Sequence, residues 1–365
     1  MLTERSTDVV PVIRQDEPRK CRAWSNLSRA VRLRTFAAAC AAFGLIGTAP
    51  ACCADFYQGK TINVLIGHSA GGGYDLYARV LAKYLGKHIP GNPNVVPSNM
   101  PGAGGLRAAN YIYAAAPKDG TVFGTFSRGM AIAPLLGAAQ FDGRRFTWLG
   151  SSTTDVSVCI TWNTSAIKSW DDVMSRQFVA GGEAAGSDPN IFALMYKNLL
   201  GAKIKLVSGY PGTNDITLAM ERGEVDGLCG ISWSTIKSRH ADWIGSNKVN
   251  ILVQAGPQKE PDLPNVPQAA DLVKGPEQKQ ILRLLLTTHF MARPFAAPSD
   301  IPADRKDILR KAFDETMNDA DLRAEAEKLK LDINPISGAS IDALLREIYA
   351  TPKDVAAKAA KAIAE

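Results

Sequence analysis

The stretch TINVLIGHSAGGGYDLYARVLAKYLG, residues 61–86, decides the fold. Its first six residues form a short, β-branched apolar run, the mark of a buried strand. A glycine-rich loop follows. Leu76, Val80, Leu81, Tyr84 and Leu85 then fall on one face of a helix that Gly86 should stop. The same unit recurs downstream. An extended piece at Val95 and Val96 and a PGAGG turn lead to a helix over 106–116, stopped by Pro117, and a strand over 121–126. Strands are expected at 156–161, 178–180, 204–207, 225–228, 249–254 and 284–291. Helices are expected at 189–200, 215–222, 303–329 and 341–364, and Ser169 with Asp172 reads as a capped start. Repeated βα units imply a mostly parallel sheet with helices on both faces. The chain is long for one such sheet, so two α/β lobes are expected.

Composition excludes several classes. With 365 residues, 46% hydrophobic and 21% charged, the chain is neither disordered nor disulfide-dense. The net charge of +6 is concentrated at the start, where eight basic residues precede the apolar run FAAACAAFGLIG and small residues at Ala49, Ala51 and Ala54. Residues 1–54 therefore read as a cleaved export signal. The remainder holds 34 basic and 32 acidic residues, so no nucleic-acid-binding excess survives. Cys159 and Cys229 are the cysteines that remain beyond it; two buried thiols are expected, with a bridge as the alternative.

GHSAG, residues 67–71, matches a nucleophile elbow, with Ser69 as nucleophile and His88, His240 or His289 as base. Only twelve residues from Asp55 precede it, too few for the strands and oxyanion loop an elbow requires. The wider loop HSAGGGYD, residues 68–75, reads better as an anion site. Glycines at a strand's carboxyl end bare backbone N–H groups, and the next helix adds its positive dipole end. Asp75 is then a cap or a partner of Arg79, and His68 a hydrogen bonder of the loop. PGAGG, with Gly102, Ala103, Gly104 and Gly105, and GSDPN, residues 186–190, are further helix starts of this kind. The sequence carries no C-x-x-C, H-E-x-x-H or EF-hand pattern, so neither metal nor cofactor is expected. The tryptophans read as core or interface packing, with Trp233, in SWS after a strand end, as the exception to watch.

Together AGGGYDLYAR (70–79), NMPGAGGLRAANYIYAAAPKDGT (99–121), GSDPN, GYPGTND (209–215), GEVDG (223–227) and LPNVPQAADL (263–272) resemble the tripartite tricarboxylate transporter receptors, the Bug- or TctC-like periplasmic solute-binding proteins. The resemblance implies an α/β, bilobal periplasmic-binding-protein fold of type II character, its two lobes joined by crossing segments. Lobe 1 would comprise 55–155 and 255–365, and lobe 2 residues 156–254. It implies a monomeric, non-enzymatic periplasmic receptor that takes a small organic carboxylate to integral-membrane transporter subunits. Ligand contacts carried over by motif are Ser69, Ala70, Gly71, Gly72, Gly73, Gly102, Ala103, Gly104, Gly105 and Ser127, with Arg128 either a compensating cation or a surface residue. Gly186, Ser187, Asn190, Tyr210, Gly212 and Thr213 would join them from lobe 2. The family commonly has His where Asn190 stands and Lys where Pro211 stands, and an aromatic residue usually precedes the glycine loop. The alternatives are a secreted hydrolase using Ser69, or a ligand sensor for a signalling partner.

Overall fold

The computed structural model describes residues 56–365; the expected export segment lies outside the described residues. The first elements are β1 (Thr61–Ile66), α1 (Gly73–Leu85), β2 (Asn94–Asn99), α2 (Leu106–Ala114), β3 (Val122–Thr125) and β4 (Thr147–Ser151). Next come β5 (Ser157–Trp162), α3 (Trp170–Ser175), β6 (Phe178–Gly181), α4 (Asp188–Leu200), β7 (Ile204–Val207), α5 (Thr213–Glu221) and β8 (Gly227–Ser232). Then follow α6 (Trp233–Arg239), α7 (Ala241–Gly245), β9 (Val249–Ala255), α8 (Ala269–Leu272), α9 (Gly275–Leu286) and β10 (Pro294–Ala297). The chain ends with α10 (Ala303–Met317), α11 (Ala320–Lys328), β11 (Ile336–Ser337), α12 (Gly338–Tyr349) and α13 (Lys353–Ala362).

Two α/β lobes result, each built on one sheet. The first sheet has the order β11-β4-β10-β3-β1-β2 and the second β7-β6-β8-β5-β9. Both are mixed rather than mostly parallel. β1 runs parallel to β2 and β3, and β6 to β7 and β8. β10 is antiparallel to β3 and β4, and β5 to β8 and β9. The reason is the crossing. The chain leaves the first sheet after β4 and returns after β9. A strand arriving from the other lobe enters at the edge where its neighbours end, and so runs against them. Thus Ser157, the first residue of β5, pairs with Ser232, the last of β8.

Alternation along the strands fills both faces. Ile62, Val64 and Ile66 pack with Tyr77, Leu81 and Leu85 of α1 and Phe313 of α10, while Leu65 joins Ala109 and Ile112 of α2 on the other face. In the second sheet Val158 and Ile160 meet Ile216 and Met220, and Cys159 faces the side of Phe192 and Tyr196. Ser169 and Asp172 form the expected capping box.

Four expectations are corrected. Residues 284–291 are the end of α9 and a 3-10 turn, not a strand, because the apolar run sits on the buried side of a helix started by Gly275-Pro276. The helix expected over 303–329 breaks where Asp319 caps a new one, accepting from the amides of Asp321 and Leu322. That over 341–364 breaks before Pro352, which has no N–H to continue it. Cys159 and Cys229, on neighbouring strands β5 and β8, are joined by a disulfide rather than left as thiols. Among the described residues no helix is long and apolar enough to cross a membrane.

Candidate functional site

The carboxyl ends of β1 and β3 face those of β6 and β8, so that His68, Ser127, Glu183 and Ser232 meet around one small cavity. The loop after β1 is held by Asp75, which accepts from the Gly71 amide at 3.0 Å, from Arg79 at 2.9 Å and from Asn99 at 2.8 Å. Burial opposes ionisation of Asp75, yet Arg79 and these donors hold its carboxyl below the usual range. Asp75 is thus the structural brace expected. His68 stacks on Tyr74 at 4.3 Å, and its Nε2 lies 3.1 Å from the Ser127 hydroxyl. Burial, with the Arg293 guanidinium nearby, lowers the imidazole to about 3, so His68 is neutral at physiological pH.

Glycines let the lobes touch. Residues 102–105 all have positive φ, Ala103 included at 48°, and this tight turn presents Gly104 to the second lobe. A Cβ at Gly104 would lie 2.6 Å from Ser187 Cβ, and one at Gly212 would lie 2.3 Å from Ser69 Oγ. Ser69 donates to Asp215 across the gap at 2.9 Å.

Two arginines are buried at the junction. Arg128 donates to Ser157 at 2.6 Å and pairs with Asp188 of α4 at 3.2 Å, while its amide donates to the Tyr74 hydroxyl at 2.9 Å. Arg128 therefore lies in the interior rather than at the surface. Arg293, two residues after the 3-10 turn, donates to Thr235 at 3.0 Å, stands 3.6 Å from Asp155 and packs over the rings of Tyr74 and Tyr77. Burial works against its charge, but Asp155 and the two tyrosines raise its pKa. Nε of both arginines is buried without a hydrogen-bond partner. These are formal positive charges in a low-dielectric setting, where an anion's attraction is least screened.

A cavity of about 20 Å³ lies among His68, Ser127, Glu183, Thr213, Thr235 and Arg293, bordered also by Gly73, Tyr74 and Asp188. That volume suits one water, against the several hundred cubic ångströms usual for ligand sites. The lobes are closed upon each other.

Of the residues expected at the site, Gly73, Ser127 and Thr213 border this cavity. Ser69, Gly104, Arg128, Ser187 and Gly212 form lobe-to-lobe contacts around it, and Gly186 packs on Met130 and Gly129. Gly105 is buried against Phe126 and Ser127. Ala70 and Ala103 are exposed, and Gly71, Gly72 and Gly102 are half-buried. Asn190 donates to Ser208 at 2.9 Å, and Tyr210 packs on the apolar cluster of the second sheet. Arg293, Glu183, Tyr74 and Thr235 border the cavity without having been singled out in the sequence. The one signal available was a lone arginine inside the apolar run FMARPFAA.

No serine–histidine pair forms at Ser69. His68 engages Ser127, His88 engages Asp319, His289 engages Ser157, and His240 stacks on Trp243. His68 presents the same Nε2 to Ser127 and, at 3.6 Å, to Glu183, so those three do not form a relay either. Trp233 is buried and donates to Asp262, a packing role. Among the described residues no group of three or more His, Cys, Asp or Glu side chains is placed to hold a metal ion.

The architecture matches solved structures over most of the chain. The periplasmic binding protein BugD superposes with a TM-score of 0.66 at 19% identity, covering 83% of this chain and 98% of that one. The chain has the fold of a Bug- or TctC-type solute-binding protein. MatC from Rhodopseudomonas palustris, with bound malate, shares this Bug/TctC fold with a TM-score of 0.63 at 19% identity, covering 81% and 99%. An R. palustris protein with adipate gives 0.64 at 18%, covering 82% and 97%. A Cupriavidus necator protein described as a UPF0065 protein in the gbd 5′ region is 41% identical over 86 residues, 24% of this chain. The match spans about a quarter of that relative's length. No family model matches the chain. The resemblance read from the sequence is borne out at the level of the Bug/TctC fold.

Proposed function

We propose that the chain is a periplasmic solute-binding receptor, not an enzyme, that captures a small organic carboxylate between its lobes and hands it to a tripartite-type membrane carrier. In this reading 55–155 with 255–365 form lobe 1, 156–254 form lobe 2, and the receptor acts as a monomer. The observation that carries the reading is the buried Arg293 beside Ser127, Thr213 and Thr235, where strand ends of both lobes converge. The neighbours holding malate and adipate share this architecture. The Cys159–Cys229 disulfide supports an oxidising compartment.

The closed cavity is too small for a diacid, so capture begins with the lobes apart. Closure is then driven by the ligand's preference for the closed form. Micromolar affinity needs about −8 kcal/mol. Hydrogen bonds to a charged group contribute roughly 1.5–3 kcal/mol each, so four or five such contacts suffice after ordering costs. A thermal-shift screen of the purified protein against mono-, di- and tricarboxylates tests the reading. At least one acid should raise the melting temperature by several degrees, and esters or amides of the same acid should not. A flat response to every acid, or an equal response to the uncharged analogues, overturns it.

A further inference from the structure

Glu183 is the anomalous group of the cavity, a carboxyl facing a site read as receiving carboxylates. It stands in the turn between β6 and α4. Its Oε1 accepts from the Thr213 hydroxyl at 3.0 Å, while its Oε2 is buried without a hydrogen-bond partner. Its charge environment is set from both lobes. His68 faces it from the β1–α1 loop of the opposite lobe at 3.6 Å, and Asp188 of α4 and Asp215 of α5 add negative charge from its own lobe. Arg293 borders the same cavity, engaged by Asp155, while Arg128 is engaged by Asp188.

The charges of this enclosure can be weighed. Arg128 and Arg293 are matched by Asp188 and Asp155, and His68 is neutral. An ionised Glu183 would add an unmatched negative charge before any anion arrived, at a buried atom with no donor to stabilise it. A neutral Glu183 adds no further negative charge beside Asp215 and supplies an O–H where an ionised one offers only lone pairs. We propose that Glu183 contacts the ligand as a neutral carboxylic acid, so that closure around an organic carboxylate takes up one proton from solvent onto Oε2. This rests on the carboxylate reading of the cleft. Burial, reinforced by Asp188 and Asp215, pushes Glu183 up to about 8 in the closed form. In an open form its carboxyl returns toward the ordinary value near 4.5.

The sign follows from linkage. The closed form binds the Glu183 proton more tightly, so this group makes affinity weaken as pH rises between about 4.5 and about 8. The loss is at most about tenfold per pH unit, and it levels off above the closed-form value. His68 opposes this below about pH 6.5, because burial in the closed form lowers its imidazole from 6.5 to about 3, so that closure expels its proton there. Thr213 is the remaining contact of the carboxyl and carries no charge.

The test is calorimetric titration of malate and of adipate into the protein and into Glu183→Gln, from pH 6 to 9, in buffers of different ionisation heat. Infrared spectra of the same samples are recorded at pH 7. Binding by the parent protein should weaken several-fold from pH 7 to 8, where His68 is neutral in either form, with net proton uptake, and the glutamine variant should lose that slope. A pH-independent affinity in the parent protein, or the same slope in Glu183→Gln, overturns the proposal and leaves the carboxylate reading intact. If neither acid binds at any pH, the carboxylate reading fails for these acids and the proposal, which rests on it, falls with it. In ligand-saturated protein, a protonated-carboxyl band at pH 7 that Glu183→Gln removes supports the proposal; its absence overturns it.

Discussion

The Ser69 hydroxyl donates to the Asp215 carboxylate at 2.9 Å, tying the glycine loop of one lobe to helix α5 of the other. A serine that could be mistaken for a nucleophile is thereby a closure contact. Hydrogen bonds to charged acceptors contribute about 1.5–3 kcal/mol, and the partial exposure of this one puts it at the lower end. Ser69→Ala should therefore weaken ligand affinity roughly tenfold, by about 1.4 kcal/mol. An active-site fluorophosphonate should leave the parent protein unlabelled. Calorimetry on the variant and mass spectrometry after labelling check the two halves. Unchanged affinity, or a covalent adduct at Ser69, contradicts this account.

Gly104 and Gly72 separate two roles of glycine. A methyl at Gly104 would meet Ser187 Cβ at 2.6 Å, on a backbone with φ +60. At Gly72 the nearest atom to such a methyl is the Ser69 carbonyl oxygen at 3.9 Å, and φ is −80. Gly104→Ala should hold the lobes apart and abolish ligand-induced thermal stabilisation, while the fold measured by circular dichroism persists. Gly72→Ala should bind as the parent does. Equal ligand shifts in both variants would remove Gly104 from the closing surface.

What could be read from the sequence was local. The βα period, the glycine-rich helix starts and the Asp75–Arg79 brace depend on residues a few positions apart, and each lies where expected. Strand direction in β5 and β10 depends on which lobe the chain has just left, which no short window contains. The chemistry of the cavity is similarly non-local. Arg293 meets Thr235 and Asp155 from 58 and more residues away, and Glu183 reaches His68 across more than a hundred. Arg128 was ambiguous because a single arginine after a strand looks alike whether its partner is water or a distant Asp188.

The Arg128–Asp188 pair couples the lobes through charge. Side chains exposed by 0% and 9% leave little water to compensate a lost partner. Breaking a buried pair from one side costs about 3–5 kcal/mol, because the remaining charge is stranded. Opening the lobes rehydrates it, so Arg128→Met should shift the population toward the open form rather than unfold the chain. Small-angle scattering should show a larger radius of gyration for the variant, and Asp188→Leu in the same chain should restore much of the compact form. A variant as compact as the parent would mean that the pair does not bias closure.

The disulfide offers a stability test independent of the cleft. Cys159 and Cys229 are fully buried and 70 residues apart in sequence. Closing a loop of that length lowers the entropy of the unfolded chain by an amount worth about 4 kcal/mol in the chain-entropy account. Burial shields both sulfurs, so dithiothreitol should not reduce the bond in the folded protein at 25 °C. It should lower the melting temperature markedly once heating exposes the bond. Replacing both cysteines by alanine should reproduce the lower melting temperature without reductant and leave ligand affinity unchanged, since the pair lies between β5 and β8 and does not border the cavity. Rapid reduction at 25 °C, or a melting temperature indifferent to the bond, would show that this covalent link does not constrain the unfolded second lobe.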